Sequence, residues 1–440
     1  MAEFVPFRGL RYDPAKVNLT DVLCPPYDVI KGTARDEYLK RNAHNIVGVE
    51  LAARYGEDAT PEQYAQSAAF LQQWRNEGTL VLDDAAYYVY EQEFQVPGTG
   101  ETKKRRGVIG ALALEEFGKG VQPHEHTLSG PKQDRLNLLR ALRTNTSPIF
   151  GLFGDDDGWV ASVIDAVVVE PPLMEAQSND DVKERVWRVT DDESVNAIQA
   201  AFENEIILIA DGHHRYETAL NYRNERKREA EATGKMWTGA ELENYVMMMC
   251  VSTSDPGLIV LPTHRLVKTG EADWSQVFDN LEKHFEIINV ATEADAATQA
   301  KELLGALNQD DTQPRIGLHI NGQSYVLRLH QSDAYLAAMD SERSSAYNAL
   351  DVSLLHTLIL EKQFGIGQAE LAAYSHVAYT IDAEEAIAKV NSGDYGAAFI
   401  LRSTPVHQVR EVAGAGDKMP QKSTYFYPKL VTGLVLRPLD

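Results

Sequence analysis

Two cysteines in 440 residues, Cys24 and Cys250, stand far apart and in no ligand-like pairing. That excludes a disulfide framework and a cysteine-based structural zinc site, and makes a reducing cytoplasm the expected compartment. Basic side chains are also scarce: 42 Lys and Arg face 65 Asp and Glu, for a net charge of −23. Such a chain repels nucleic-acid phosphates and anionic lipid, so neither nucleic acid nor membrane is expected as a partner. No stretch approaches the roughly 20 apolar residues of a membrane span. The opening "MAEFVPFRGLRYDP" lacks the apolar core of a signal peptide, and a soluble cytoplasmic protein is expected. Also missing are G-x-x-x-x-G-K-[ST], G-x-G-x-x-G after a strand, the protein-kinase motif set, the G-x-S-x-G elbow and H-E-x-x-H. P-loop, Rossmann, serine-hydrolase and zincin chemistry are thereby disfavoured. No internal repeat or long low-complexity tract is present.

What is there is core material for two or three subdomains in a mixed α/β, α+β arrangement. The expected divisions are an N-terminal α+β part over 1–120, a core over 121–268, an inserted or separate α+β subdomain over 269–345 and a C-terminal α/β part over 346–440. A helix is predicted from Pro61 to Glu77, followed by the strands "YYVYEQEF" and "VIGALAL". Between them "PGTGETKKRRG" reads as a hairpin with a long basic tip, Lys103 to Arg106. From Thr146 to Ala210 strand, helix, strand, helix, strand follow. "YVMMMCVS" and "LIVLPTHRL" flank "TSDPG", a hairpin signal that places Thr263, His264 and Arg265 at the end of the second strand. Asn321-Gly322 marks a tight hairpin between "RIGLHI" and "YVLRLH".

The run "IILIADGHHRYETAL" puts Asp211, Gly212, His213, His214 and Arg215 between a buried strand and a helix. Helix starts carry unpaired N–H groups and partial positive charge, which favour phosphate. Gly212 permits close backbone approach, and His213, His214 and Arg215 add donors. Asp211 has the wrong charge to grip phosphate, so it holds Mg²⁺ or orients a nearby His. The competing reading is a capped helix with solvated histidines. "HEHT", His124 to Thr127, sets Glu125 between His124 and His126 ahead of a helix; a metal reading lacks a third ligand at informative spacing, and a surface loop is the plain alternative. Lys132 and Arg135 flank that helix start, where cations suit an anionic ligand but are common on exposed surfaces. Arg265 is a fork for carboxylate or phosphate, or the partner of an internal acid. In "MPQKSTYFYPK", Lys422 and Ser423 reach toward phosphate and Tyr425 or Tyr427 toward a base, unless the aromatics are core.

"DGHHRYETAL" resembles the phosphate-binding motif of the ParB and sulfiredoxin-like superfamily, in which the free-serine kinases carry an Asp-Gly-His-His-Arg run. With "CPPYDVI", "PHEHT", "LPTHRL", "LDVSLLH" and "MPQKSTYFYPKLVTGL" in this order, nearly the whole chain resembles the bacterial family called domain of unknown function 1015. The resemblance implies a ParB-like nucleotide-binding core elaborated by further subdomains, and phosphoryl transfer from ATP or ADP with Mg²⁺ to the hydroxyl of a small metabolite, specifically free L-serine. Asp211, His213, His214 and Arg215 map one for one onto the relatives' motif. Those kinases are much smaller, which leaves the acceptor, L-serine or another hydroxylated metabolite, to be tested. On this reading Glu125 or Asp211 is the catalytic base, Asp211 the metal ligand, and Gly212, His213, His214, Arg215, Lys422 and Ser423 hold phosphate. His124, His126, Lys132, Arg135, Thr263, His264 and Arg265 face the acceptor. A homodimer stays open. The alternative is a ParB-like regulatory switch that binds and hydrolyses nucleotide without a metabolite acceptor.

Overall fold

The structure is a computed structural model that describes residues 3–125, 130–291, 295–309, 313–330, 333–367, 370–371 and 376–440. The chain divides into two units, one of Met1–Pro123, Thr127–Ile259 and Phe426–Asp440, the other of His124–His126 and Val260–Tyr425.

The first unit is built on a ten-stranded mixed sheet. Its strands are β1 (Phe4–Val5), β2 (Phe7–Tyr12), β3 (Leu80–Gln95), β4 (Thr102–Ala113), β5 (Val121–Pro123), β6 (Ile149–Phe153), β7 (Met174–Gln177), β8 (Lys183–Val189), β9 (Ile207–Asp211) and β10 (Tyr245–Ser252). The order is β5-β9-β6-β10-β4-β3-β8-β7, with β1 on β4 and β2 on β3. β9 runs parallel to β5 and β6 parallel to β10, while the other pairs are antiparallel. β6 and β9 are apolar throughout their buried length, as central strands covered on both faces must be.

The longer helices of this unit include α1 (Pro61–Asn76), α2 (Gly130–Leu142), α3 (Trp159–Val167), α4 (Asp192–Phe202) and α5 (His213–Ala232). α1 starts at the sequence's own signal, a Thr60/Gln63 capping box followed by Pro61. α3, α4 and the first turns of α5 bury Ile164, Ile198, Phe202, Tyr216 and Leu220 against Val89, Val108, Ile207 and Met248 of the sheet. Phe202 lies between Phe4 and Phe153, with ring centroids at 4.3 and 4.6 Å. Along its outer length α5 is charged, and Arg140 of α2 forks Glu225 at 2.6 Å.

Two sequence expectations fail here for physical reasons. Lys103 to Arg106 are not a hairpin tip. They lie inside β4 opposite Phe94, Glu93, Gln92 and Glu91, where Lys104 and Arg106 pair with Glu91 and Glu93 across the strands and Arg105 turns into the core. The long acidic partner strand, not a turn, absorbs this charge. Nor does "TSDPG" close a hairpin, since β4 and β6 already occupy both edges of β10.

The second unit carries a wholly antiparallel sheet of β11 (His264–Val267), β12 (Phe285–Ala291), β13 (Arg315–Ile320), β14 (Gln323–Leu329), β15 (Val377–Thr380) and β16 (Ala397–Ile400). Its order is β12-β14-β13-β16-β11-β15. Thr263, His264 and Arg265 therefore open a strand rather than end one. Asn321 and Gly322 link β13 to β14 with φ of 48° and 76°, the turn that matches strand twist. Helices α6 (Trp274–Leu281), α7 (Ala296–Leu307), α8 (Ala383–Asn391) and α9 (Val406–Gly414) complete the unit. α7 and α8 pack Leu303, Leu307, Ala386 and Ile387 on Leu266, Val326, Ala398 and Ile400. Among the described residues no helix is long and apolar enough to cross a membrane.

Phe202→Ala opens a cavity between two phenyl rings that cannot collapse inward, and is expected to cost about 3–5 kcal/mol. A urea titration of the full chain, followed through the first unit's transition, checks it; a loss under about 1 kcal/mol would mean the aromatic stack is not the core.

Candidate functional site

β9 delivers Asp211 to its C-terminal end, Gly212 turns the chain, and α5 begins at His213. The turn requires glycine twice over. Its φ is +93°, and a Cβ there would meet the Arg215 guanidinium at 3.0–3.1 Å. Gly212, the N-cap, has no side chain to cap the start of α5, a 20-residue helix whose N-terminal end carries partial positive charge.

Asp211 is held between two cations. One oxygen takes Lys429 Nζ and the other takes Arg215 Nη2 at 2.8 Å. Burial opposes ionisation, but Lys429, Arg215 and then His213 overcome it and hold the carboxyl well below the usual carboxylate range. Arg215 is itself fixed, donating to Ser147 Oγ at 2.9 Å and to the Pro148 carbonyl at 2.7 Å. Lys429 is placed by its backbone. Fully buried Arg105 donates to the carbonyls of Tyr427 and Pro428 and to Gln92 Oε1, while Gln92 Nε2 donates to the Lys429 carbonyl at 3.1 Å. Arg105 lies 4.7 Å over the Phe150 ring. Behind Gln92, burial lifts the Glu184 carboxyl to about 7. Tyr27, from "CPPYDVI", stacks under Arg135 at 4.4 Å and feels both Arg215 and Asp211.

The arrangement corrects several expected roles. Each Asp211 oxygen already accepts from a cation and its basicity is suppressed, which makes it a poor base. Arg215 buttresses Asp211 instead of reaching for phosphate with its side chain. Lys132 pairs with Glu217, and buried Arg135 pairs with Glu50 at 3.1 Å and Asp134 at 2.6 Å; these two tie helices together. Lys429 was missed in the sequence, although "YPK" stood in a quoted motif, because nothing local marks which lysine reaches a carboxylate 218 positions away.

In the second unit a different group assembles. Glu125 Oε1 accepts the Lys422 backbone N–H at 2.9 Å, and buried His124 meets Thr424 Oγ1 at 2.9 Å with Glu125 Oε2 at 3.9 Å. Lys422 is exposed, at φ 58°. Ser423 is buried and spends its hydroxyl on the Pro420 carbonyl. Arg265, expected as a carboxylate clamp, is fully buried and donates to the carbonyls of Thr263, Gln421 and Lys422 over the Tyr379 ring. Thr263 Oγ1 is buried without a partner. His264 lies in the sheet, its Nδ1 accepting the Leu401 N–H at 3.2 Å. Burial, then Arg265, lowers its pKa to about 4. His126 lies outside the described residues. Among those described, no three His, Cys, Asp or Glu converge in a metal-binding cluster.

A family model described as "Protein of unknown function (DUF1015)" matches residues 4–353. No curated protein matches. Solved structures with a similar course include a conserved hypothetical protein from Pyrococcus furiosus, at 14% identity and TM-score 0.31, covering 71% of this chain and 91% of that one. A free serine kinase in complex with AMP matches at 12% identity and TM-score 0.32, covering 71% and 92%. SbnI from Staphylococcus aureus, truncated at its C-terminus, matches at 8% and 0.34, covering 75% and 87%.

Two measurements check the electrostatics. Lys429→Met strips one cation from a partly buried pair and is expected to cost between about 1 and 3 kcal/mol at pH 7. Because the folded Asp211 pKa is depressed, that contribution is present above the unfolded value near 4 and fades as pH falls below it. The gap between wild type and variant in urea melts therefore narrows in acid; a gap independent of pH would exclude the ion pair as its source. His264 acts in the same direction over a higher pH range. Its folded pKa of about 4 lies below the unfolded 6.5, so the unfolded chain takes the proton first and the second unit loses up to about 3 kcal/mol as pH falls from about 6.5 to about 4. Calorimetry should show His264→Asn flattening that slope, with the part due to His319 and His356, whose pKa values are also lowered, remaining.

Proposed function

The chain belongs to the family described as protein of unknown function (DUF1015), and we propose that this member is a phosphoryl-transfer enzyme that takes its phosphate from ATP or ADP. The carrying observation is the concentration of positive charge at the start of α5. Lys429 and Arg215 both pair with Asp211, with buried Arg105 behind them, at a helix start whose N-cap, Gly212, has no side chain to cap it, in a chain whose net charge is −23. Isolating so much cationic charge in an acidic protein is costly unless an anion completes it. Nucleotide phosphates suit backbone N–H groups, a lysine and two histidines together.

On this reading the N–H groups at His213 and His214 hold a phosphate, Lys429 neutralises charge on the transferred group, and Asp211 aims Lys429. Catalysis is then positioning and electrostatics. Any Mg²⁺ would travel on the nucleotide phosphates and water. The acceptor we assign is free L-serine, yielding O-phosphoserine.

Phosphorus NMR of the purified chain with ADP or ATP, with and without Mg²⁺, and a panel of hydroxylated metabolites led by L-serine tests this. A phosphomonoester resonance that requires serine is expected. Lys429→Met should lower its rate by roughly 100-fold or more. Nucleotide binding with slow hydrolysis indifferent to every acceptor would overturn the kinase and favour a nucleotide-dependent switch.

A further inference from the structure

The second unit contains a cavity of about 780 Å³ bounded by the segments around Met339, His356, Ile366 and Gln421, a size typical of metabolite sites. One wall is made by an irregular helix. Asp351–Leu354 is α-helical, but Leu355–Glu361 continues as a π-helix before Lys362–Phe364 resumes α geometry. In an α-helix a residue five positions on is rotated by about 140°. The wider i→i+5 turn brings it back to the same side, so His356, Thr357 and Glu361 all reach the cavity. Turns of this kind recur at functional sites.

The lining is charge-balanced. Asp340 and Glu361 supply two negative groups, Arg343 and Lys362 two positive ones, and Met339, Ile366 and Leu371 an apolar patch. Arg343 is pre-oriented by Asp417 at 3.3 Å, by Asp340 at 3.6 Å and by the Tyr347 ring at 5.2 Å. Lys362 is tethered to the Ala338 carbonyl at 2.8 Å. A nucleotide or free phosphate would meet as many like charges as opposite ones here. A zwitterion finds a group of opposite sign for each of its charges in this lining.

We propose that this cavity binds a free α-amino acid with a large apolar side chain. Its carboxylate lies toward Arg343 and Lys362, its ammonium toward Glu361 and Asp340, and its side chain on Met339, Ile366 and Leu371. His356, kept neutral by burial and by Arg265, offers a hydrogen bond without adding charge. The site uses residues of the second unit alone and does not rest on the phosphoryl-transfer reading.

Isothermal titration calorimetry of the full chain against each standard L-amino acid, with ATP and inorganic phosphate as comparisons, tests it. An apolar amino acid is expected to bind, while its decarboxylated amine and its N-acetyl derivative bind at least about tenfold more weakly. Glu361→Ala, at an exposed position, should weaken binding about tenfold with an unchanged circular dichroism spectrum. Asp211→Asn should leave it unaltered, which separates this site from the phosphate site. Absence of amino-acid binding, amino-acid binding indifferent to Glu361→Ala, or equal binding of the blocked analogues would each overturn the proposal.

Discussion

The carboxylate of Asp211, clasped by Lys429 on one oxygen and Arg215 on the other, sets the charge of everything at the start of α5. A single pair would neutralise itself. Two cations on one carboxylate leave a surplus, and the helix dipole adds to it. The rest of the first unit is arranged to sustain that surplus: β9 is buried between β5 and β6, so Asp211 cannot swing away, and Gly212 clears space for the Arg215 guanidinium. Were Asp211 neutral, both cations would lose their shared partner. The depressed pKa of Asp211 and the cationic character of the site are thus one fact seen from two sides.

The strand–glycine–helix junction was legible because its signals are local: a five-residue apolar run, a glycine and an amphipathic start, all within ten positions. The same holds for the Asn321-Gly322 turn and for the capped start of α1. Lys103 to Arg106 misled because a basic run beside "PGTG" reads as a loop until its acidic partner strand is known, and strand partners are not local information. The roles of Lys132, Arg135, Ser423 and Arg265 were unreadable for a related reason. A polar side chain's type announces what it can bind, but only the fold decides whether Glu217, Glu50 or a backbone carbonyl claims it first. Lys429 shows the converse, a lysine in an aromatic stretch whose significance lies entirely in a contact made across the fold.

Buried arginine explains why so much rests on the last part of the chain. Arg105, Arg265 and Arg437 are fully buried, and the partners that fix them are chiefly backbone carbonyls: Tyr427 and Pro428 for Arg105, Thr263, Gln421 and Lys422 for Arg265, Leu242 and Tyr245 for Arg437. A carbonyl cap satisfies the donors without cancelling the charge. The guanidinium therefore does two jobs, pinning an irregular segment that has no ladder of its own and projecting positive potential onto its neighbours. In the second unit the second effect is visible at His264 and His356, both held neutral in part by Arg265. In the first, Arg105 fixes the backbone that carries Lys429 to Asp211 while adding its own charge behind it. A carboxylate in place of those carbonyls would pin the segment equally well and erase the potential. The choice of carbonyl over carboxylate leaves that potential in place beside Asp211.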